Sequence, residues 1–300
     1  MKSNYCGRFA PSPTGPLHQG SLAAALASWL DARAHIGKWL IRIEDIDPPR
    51  ERRGIAAQQI EVLRQLGMTP DGPVLYQSAR SAAYDAALQE LVRTQRTFRC
   101  TCSRAQLASS VKGSSSRYPG TCRRRSLEGT GAVRFRVDAA TVGFEDRACG
   151  YMQQNIEQCV GDFVIRRADG LWAYQLAVVV DDAFQGITDV VRGADLLDNT
   201  PRQIALQRAL GLATPRYLHL PLVRDAAGRK LSKQTQAPAI DPRKALAELE
   251  QAWQHLGFSP TGASSVAGFQ QQAVPRWRDR WRMAPVESSA DAPLDTDAAS

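Results

Sequence analysis

The chain has 300 residues, 43% of them apolar, which is enough to bury a substantial core and more than a small binding module needs. A formal charge of +8 favours a polyanionic partner, although the basic residues are dispersed and form no tail. No apolar stretch is long enough to span a bilayer, residues 1–7 lack the regions of a secretion signal, and six irregularly spaced cysteines suggest no disulfide framework, so the expected setting is the reducing cytoplasm.

In chain order, residues 5–10 form an extended run that leads through three prolines and a glycine into a segment rich in Ala and Leu. This predicts a strand, a tight loop and a helix N-terminus, where unpaired N–H groups and the helix dipole favour an anion. His18 can donate to that anion, Gly20 lets a flat ring approach the backbone, and Ser21 is placed to cap the helix. Residues 39–43 read as a buried strand that ends in Glu44, Asp45 and Asp47, at the sheet edge where ligands collect in open α/β folds. Residues 51–66 and 81–93 have helical apolar spacing and are separated by the turn-rich residues 67–77. The alternation predicts a doubly wound parallel sheet of the α/β class. Without Gly-x-Gly-x-x-Gly after the first strand, and without a phosphate-loop Gly-Lys-Ser/Thr, neither a dehydrogenase nor a phosphate-loop NTPase is supported.

From Phe98 the pattern breaks. Cys100 and Cys102 precede a Ser- and Arg-rich stretch, then Tyr118-Pro119-Gly120-Thr121-Cys122 and the basic run Arg123, Arg124 and Arg125. Three nearby cysteines fit zinc thiolates or ordinary unliganded thiols, and their spacing names no fourth ligand. Cys6, Cys149 and Cys159 are isolated and read as buried or incidental. Residues 161–167 and 171–180 are β-rich runs around Asp169-Gly170, the signal of a hairpin. Val190 and Val191 resume the sheet, Arg192 follows, and a helix over 200–210 begins with a cap and a first-turn proline. An arginine at a strand end is ordinarily a surface ion pair. After the apolar residues 218–223, Gly228-Arg229-Lys230-Leu231-Ser232-Lys233 places three cations in a loop able to close over a triphosphate. Lys233 is the candidate to stabilise charge moving onto departing pyrophosphate. Residues 286–300 are acidic, rich in Ser and Ala, and read as disordered.

Residues 8–21 and 228–233 together resemble the two ATP-binding signatures of the class I aminoacyl-tRNA synthetases. Residues 8–12, 16–20, 174–182, 186–197 and 228–233, in that order, resemble glutamyl-tRNA synthetases, with similarity over roughly residues 5–240. The resemblance implies a Rossmann-like catalytic domain in two halves, 1–97 and 161–240. Between them it implies a zinc-bearing insertion, 98–160, and after them a short helical region, 241–285. Only about sixty-seven residues follow Lys233, too few for the anticodon-binding region of those enzymes. A core of this length with a Cys-x-Cys, Tyr, Cys insertion resembles the truncated branch of the family that acts on queuosine.

By position, the resemblance implies that Arg8, Phe9, Ala10, Pro11, Ser12, Glu44, Tyr174 and Arg192 hold glutamate. His18, Gly20, Lys230 and Lys233 would serve ATP, which brings Mg2+, and Cys100, Cys102, Tyr118 and Cys122 would hold one structural zinc. The chemistry agrees, since Glu44 suits an ammonium and Arg8 or Arg192 a carboxylate. Three positions depart from the family pattern: Ser21 replaces a histidine, Leu231 a methionine and Gln234 a serine. The implied reaction forms glutamyl-adenylate and passes the glutamyl group to the cyclopentenediol of queuosine in tRNA(Asp), in a monomer that needs no membrane. The alternatives are a minimal enzyme charging the 3′ end of tRNA(Glu) and a non-catalytic RNA-binding paralogue.

Overall fold

Strand β1 (Cys6–Phe9), helix α1 (Gln19–Ala34) and strand β2 (Lys38–Ile43) realise the start of the chain as read. The computed structural model describes residues 4–103, 105–107, 117–125, 129–222 and 238–281. Lys230, Lys233 and the tail 286–300 lie outside them. β1 and β2 pair in parallel, with Arg8 opposite Leu40. Alanines and leucines bury α1 on nearly every face, and their small side chains let neighbouring elements approach closely.

Helix α2 (Ile55–Gln65) starts later than the spacing suggested, because Gly54 before it is left-handed (φ 82°), a conformation that cannot continue a right-handed helix backwards. Strand β3 (Leu75–Tyr76) falls in the stretch read as turns, and α3 (Ser81–Arg93) matches its expected limits.

A seven-stranded sheet has the order β3-β2-β1-β9-β10-β6-β7, where β6 is Thr141–Asp146, β7 Gly150–Asn155, β9 Asp189–Gly193 and β10 Arg216–Leu220. Every pair is parallel except β6 with β7. From β1 the order runs outward through β2, and from β9 it runs the other way through β10. The switch point between β1 and β9 opens a crevice at the strand C-termini. A second, antiparallel sheet joins β4 (Thr97–Cys100), β5 (Ala132–Phe135) and β8 (Phe163–Arg166).

Strand pairing crosses the limits expected for the insertion. Within 98–160, β6 and β7 join the main sheet through Asp146 beside Tyr217, whereas β8, outside those limits, pairs with β5. The second arm of the expected hairpin is not a strand. Only a bridge between Arg166 and Trp172 forms, and the chain then enters helix α5 (Tyr174–Phe184), after the short α4 (Ile156–Cys159). Gln175 to Val179, Asp181 and Asp182 are all buried, so no exposed stripe marks the helical period and three consecutive valines imitate a strand. Helix α6 (Thr200–Ala209) has Pro201 in its first turn, but the Thr200 hydroxyl does not cap it, being taken by Arg192.

Helices α7 (Ala245–His255) and α8 (Val266–Arg280) pack against α1. α8 is anchored on the buried Asp31 carboxylate, which accepts from Tyr5 Oη (2.6 Å), Arg147 Nη1 (2.6 Å) and Nη2 (2.8 Å), and Trp277 Nε1 (2.8 Å). Trp253, Phe269 and Trp277 bury their rings here. Among the described residues, no helix is long and apolar enough to cross a membrane.

Candidate active site

A cavity of about 720 Å³ occupies the switch-point crevice. Its lining includes Arg8, Phe9, Ala10, Pro11, Ser12, His18, Gly20, Glu44, Tyr174 and Arg192, every glutamate or ATP candidate that lies within the described residues. Arg8 and Phe9 end β1 and residues 10–12 follow it, Glu44 directly follows β2, Arg192 lies on β9, and Tyr174 opens α5.

At the mouth of α1 the cap is His18 rather than Ser21. His18 is extended (φ −127°, ψ 172°), its Nδ1 accepts from Ser21 N (3.3 Å), and Ser21 Oγ accepts from His18 N (2.8 Å). This is a reciprocal capping box with imidazole in the role usually taken by a hydroxyl. Ser21 therefore fixes the imidazole, and a neutral His18 carries its proton on Nε2. Gln59 ties α2 to the same loop by donating to Gly15 O (2.7 Å) and Ser12 O (3.3 Å).

A buried charged cluster adjoins the cavity. Arg8 Nε and Arg42 Nη1 both donate to Asp182 Oδ1, at 3.0 and 2.7 Å, and Arg42 also donates to Gln185 Oε1 (2.9 Å). Burial opposes ionisation of Asp182, but the two guanidiniums outweigh it and hold its carboxyl below the usual range. Glu44 has the opposite balance. Arg42 Nη2 is 3.6 Å from its Oε1 and makes no hydrogen bond to it, both atoms are buried with no hydrogen-bond partner among the described residues, and burial pushes the carboxyl up to about 7 against the attraction of Arg42 and Arg8. Burial likewise raises the Tyr174 phenol, with Glu44 adding to the effect.

Arg192 is 4% exposed and has no carboxylate within ion-pair distance among the described residues, so it is not the surface pair that its strand-end position suggests. Its Nε donates to His219 Nε2 (3.0 Å) and its Nη2 to Thr200 Oγ1 (2.8 Å). Asp182, Arg42, Asp146 and His219 were missed in the sequence. Their available signals were the paired aspartates after an apolar run and a histidine inside another.

Away from the cavity, Cys100, Cys102 and Cys122 have sulfurs within 4.8 Å of one another. Cys102 and Cys122 are 3.5 Å apart, and the Tyr118 hydroxyl is 3.5 Å from Cys100 Sγ. Tetrahedral thiolates about 2.3 Å from zinc stand roughly 3.8 Å apart, so three sulfurs and a phenol oxygen fit that metal. Burial raises the Cys102 thiol to about 11 and also raises the Tyr118 phenol. Cys122 is also buried, but hydrogen bonds from Thr101 N and the cluster bring its thiol down to about 7. Tyr118 is held from both sides, its hydroxyl accepting from Cys122 N (2.8 Å) and its ring covered by the Arg134 guanidinium (3.8 Å). Cys6 is half-buried, whereas Cys149 and Cys159 are exposed and join no cluster.

The family model for tRNA synthetases class I (E and Q), catalytic domain, matches residues 6–251. A glutamyl-Q tRNA(Asp) synthetase of Bordetella bronchiseptica is 52% identical over 289 residues, 93% of this chain and 91% of that protein. One from Burkholderia mallei is 53% identical over 291 residues, 93% and 98% of the two chains. The crystal structure of a glutamate tRNA ligase from Elizabethkingia meningosepticum, in complex with its amino acid, superposes with a TM-score of 0.69 at 28% identity. That match covers 77% of this chain and 52% of the ligase, so the present chain spans about half the length of that enzyme. A family match through most of the sequence, and relatives more than half identical along nearly their whole length, leave one conclusion: the chain belongs to the E and Q group of the class I tRNA synthetases.

Proposed function

We propose that this chain activates L-glutamate with ATP and transfers the glutamyl group to the queuosine of tRNA(Asp). The observation that carries the reading is a single cavity lined by the Glu44 carboxylate and by two buried arginines, Arg8 and Arg192, beside a helix N-terminus. An α-amino acid with an acidic side chain presents the complementary charges. The names of the Bordetella and Burkholderia relatives support the choice of nucleic acid.

In this reading the ammonium of glutamate lies on Glu44, and its arrival favours the ionised carboxylate that burial alone disfavours. An arginine takes the side-chain carboxylate. His18 and the first N–H groups of α1 meet the phosphates of ATP, which arrives with Mg2+. An oxygen of the α-carboxylate attacks the α-phosphorus, the bond to pyrophosphate breaks, and Lys233 meets the charge released. A hydroxyl of the cyclopentenediol then attacks the acyl carbon, losing its proton as AMP departs. No side chain becomes covalently modified, because alignment and electrostatics suffice for both displacements.

Cys100, Cys102, Cys122 and Tyr118 would hold the structural zinc, which supplies a crosslink between β4 and the turn that follows residue 118. The test is transfer of radiolabelled glutamate, with ATP, to tRNA(Asp) bearing queuosine, to the same tRNA bearing guanine, and to tRNA(Glu). Labelling of the queuosine form alone is expected. Labelling of tRNA(Glu) would make the protein a charging enzyme. Robust pyrophosphate exchange that Lys233→Ala abolishes would exclude a catalytically silent binding protein.

A further inference from the structure

Three adjacent strands carry an unbroken chain of buried polar groups behind the cavity wall. Asp146 ends β6, His219 lies on β10, and Arg192 lies on β9 directly opposite His219 in the parallel register. His219 Nδ1 is 2.6 Å from Asp146 Oδ2, and Arg192 Nε is 3.0 Å from His219 Nε2. A guanidinium can only donate, so Nε2 must accept, and the proton of the imidazole must sit on Nδ1 facing Asp146. Asp146 cannot turn away, because Oδ1 also accepts from Ala148 N (3.0 Å) and Cys149 N (2.9 Å), and Oδ2 from His219 N (3.1 Å).

The result is an arginine gripped on two sides by neutral acceptors, His219 Nε2 and Thr200 Oγ1, with Nη1 buried and without a hydrogen-bond partner among the described residues. Arg8, the other buried arginine lining this cavity, already shares its charge with Asp182. Had a carboxylate held Arg192 directly, its attraction for an anionic ligand would be largely spent. A neutral imidazole orients the guanidinium without neutralising it, and the formal charge of the relay stays one residue further back, on Asp146.

We infer that Asp146 and His219 are positioning residues that hold the guanidinium of Arg192, which lines the cavity, without neutralising it, so that it serves as the receptor for a carboxylate and governs selection of an acidic amino acid over its amide. The inference deepens the proposed function and rests on glutamate being the amino acid. Asp146→Asn should act through the tautomer, as the new amide N–H would face Nδ1 and drive the imidazole proton to Nε2, setting donor against donor at Arg192 Nε. His219→Leu removes the acceptor. His219→Gln can restore it, since the amide oxygen reaches the place of Nε2.

ATP–pyrophosphate exchange with the full chain separates this role from a structural one. Asp146→Asn and His219→Leu should raise KM for glutamate at least tenfold, leave KM for ATP within about twofold, and narrow the preference for glutamate over glutamine. His219→Gln should recover most of the loss. Equal rises in both KM values, losses that follow only the folded fraction, or a His219→Gln variant no better than His219→Leu would overturn the inference. If the wild type gives no exchange with glutamate, the proposed activity fails separately. Thermal shift with glutamate, aspartate and 2-aminoadipate then decides the inference, which survives only if one of them stabilises the wild type and not Asp146→Asn.

Discussion

Glu44→Gln should make the unliganded protein more stable while disabling it. The folded state pushes the Glu44 carboxyl from an ordinary 4.5 up to about 7, because burial outweighs Arg42 and Arg8. A carboxyl raised on folding binds more protons in the native than in the unfolded chain between those values. Stability therefore falls as pH rises from about 4.5 to about 7 and stays low above that. At 1.36 kcal/mol per pH unit the native state gives up about 3 kcal/mol by pH 8, and a neutral isostere does not. Urea unfolding of wild type and Glu44→Gln at pH 4.5, 6 and 8, without ligand, should give curves that nearly coincide at the lowest pH and separate by up to about 3 kcal/mol at the highest. The variant should also lose glutamate-dependent pyrophosphate exchange. A gap between the two proteins that does not widen with pH, or a variant less stable at pH 8, would refute the account of an uncompensated buried carboxylate.

Asp31→Ala leaves Arg147 and Trp277 without their shared acceptor and should cost about 3–5 kcal/mol in denaturant unfolding; a loss under 1 kcal/mol would mean that the helices are held by their rings alone. Tyr118→Phe should release zinc to a chelator roughly tenfold faster than wild type, followed by colorimetric metal release, and an unchanged rate would remove the phenol from the ligand set. Arg123 is committed to Asp162 and Val137 O, whereas Arg124 and Arg125 are exposed. Replacing the latter two by alanine should lower the salt slope of tRNA binding by up to about 2, and an unchanged slope would leave them as solvated surface.

Where each side chain's local pattern agreed with its tertiary surroundings, the fold was readable before any coordinates. The extended start, the proline loop and the Ala- and Leu-rich helix formed a phosphate-site signature, and α3 lies at its expected limits. Residues 174–180 misled because an element covered on most sides has no solvent face to show its period. Ser21 misled differently: a hydroxyl at the third helical position and one at the cap look alike in sequence, and only the extended backbone of His18 separates them. The polar relay was hidden for a third reason. Asp146, His219 and Arg192 lie on three strands distant in sequence, and only the strand order makes them neighbours. The thiol cluster was visible as spacing, but Tyr118 had no chemical reason to be chosen until its hydroxyl came to lie 3.5 Å from Cys100 Sγ.

The C-terminal helices bear on the first motif as well as on Asp31. Ile240 N donates to Leu17 O (2.9 Å), Gln19 Nε2 donates to Glu248, and Leu256, just after α7, lines the cavity itself. Both ends of α1 are thus fastened to residues that follow the catalytic sheet in sequence. Native-state hydrogen exchange would accordingly find α1, α7 and α8 opening together as one cooperative unit. Removing residues after 240 would expose the proline-rich turn before α1 along with an apolar helix face. For anyone rebuilding this scaffold, the useful boundary lies beyond Trp281, not at the end of the nucleotide-binding sheet.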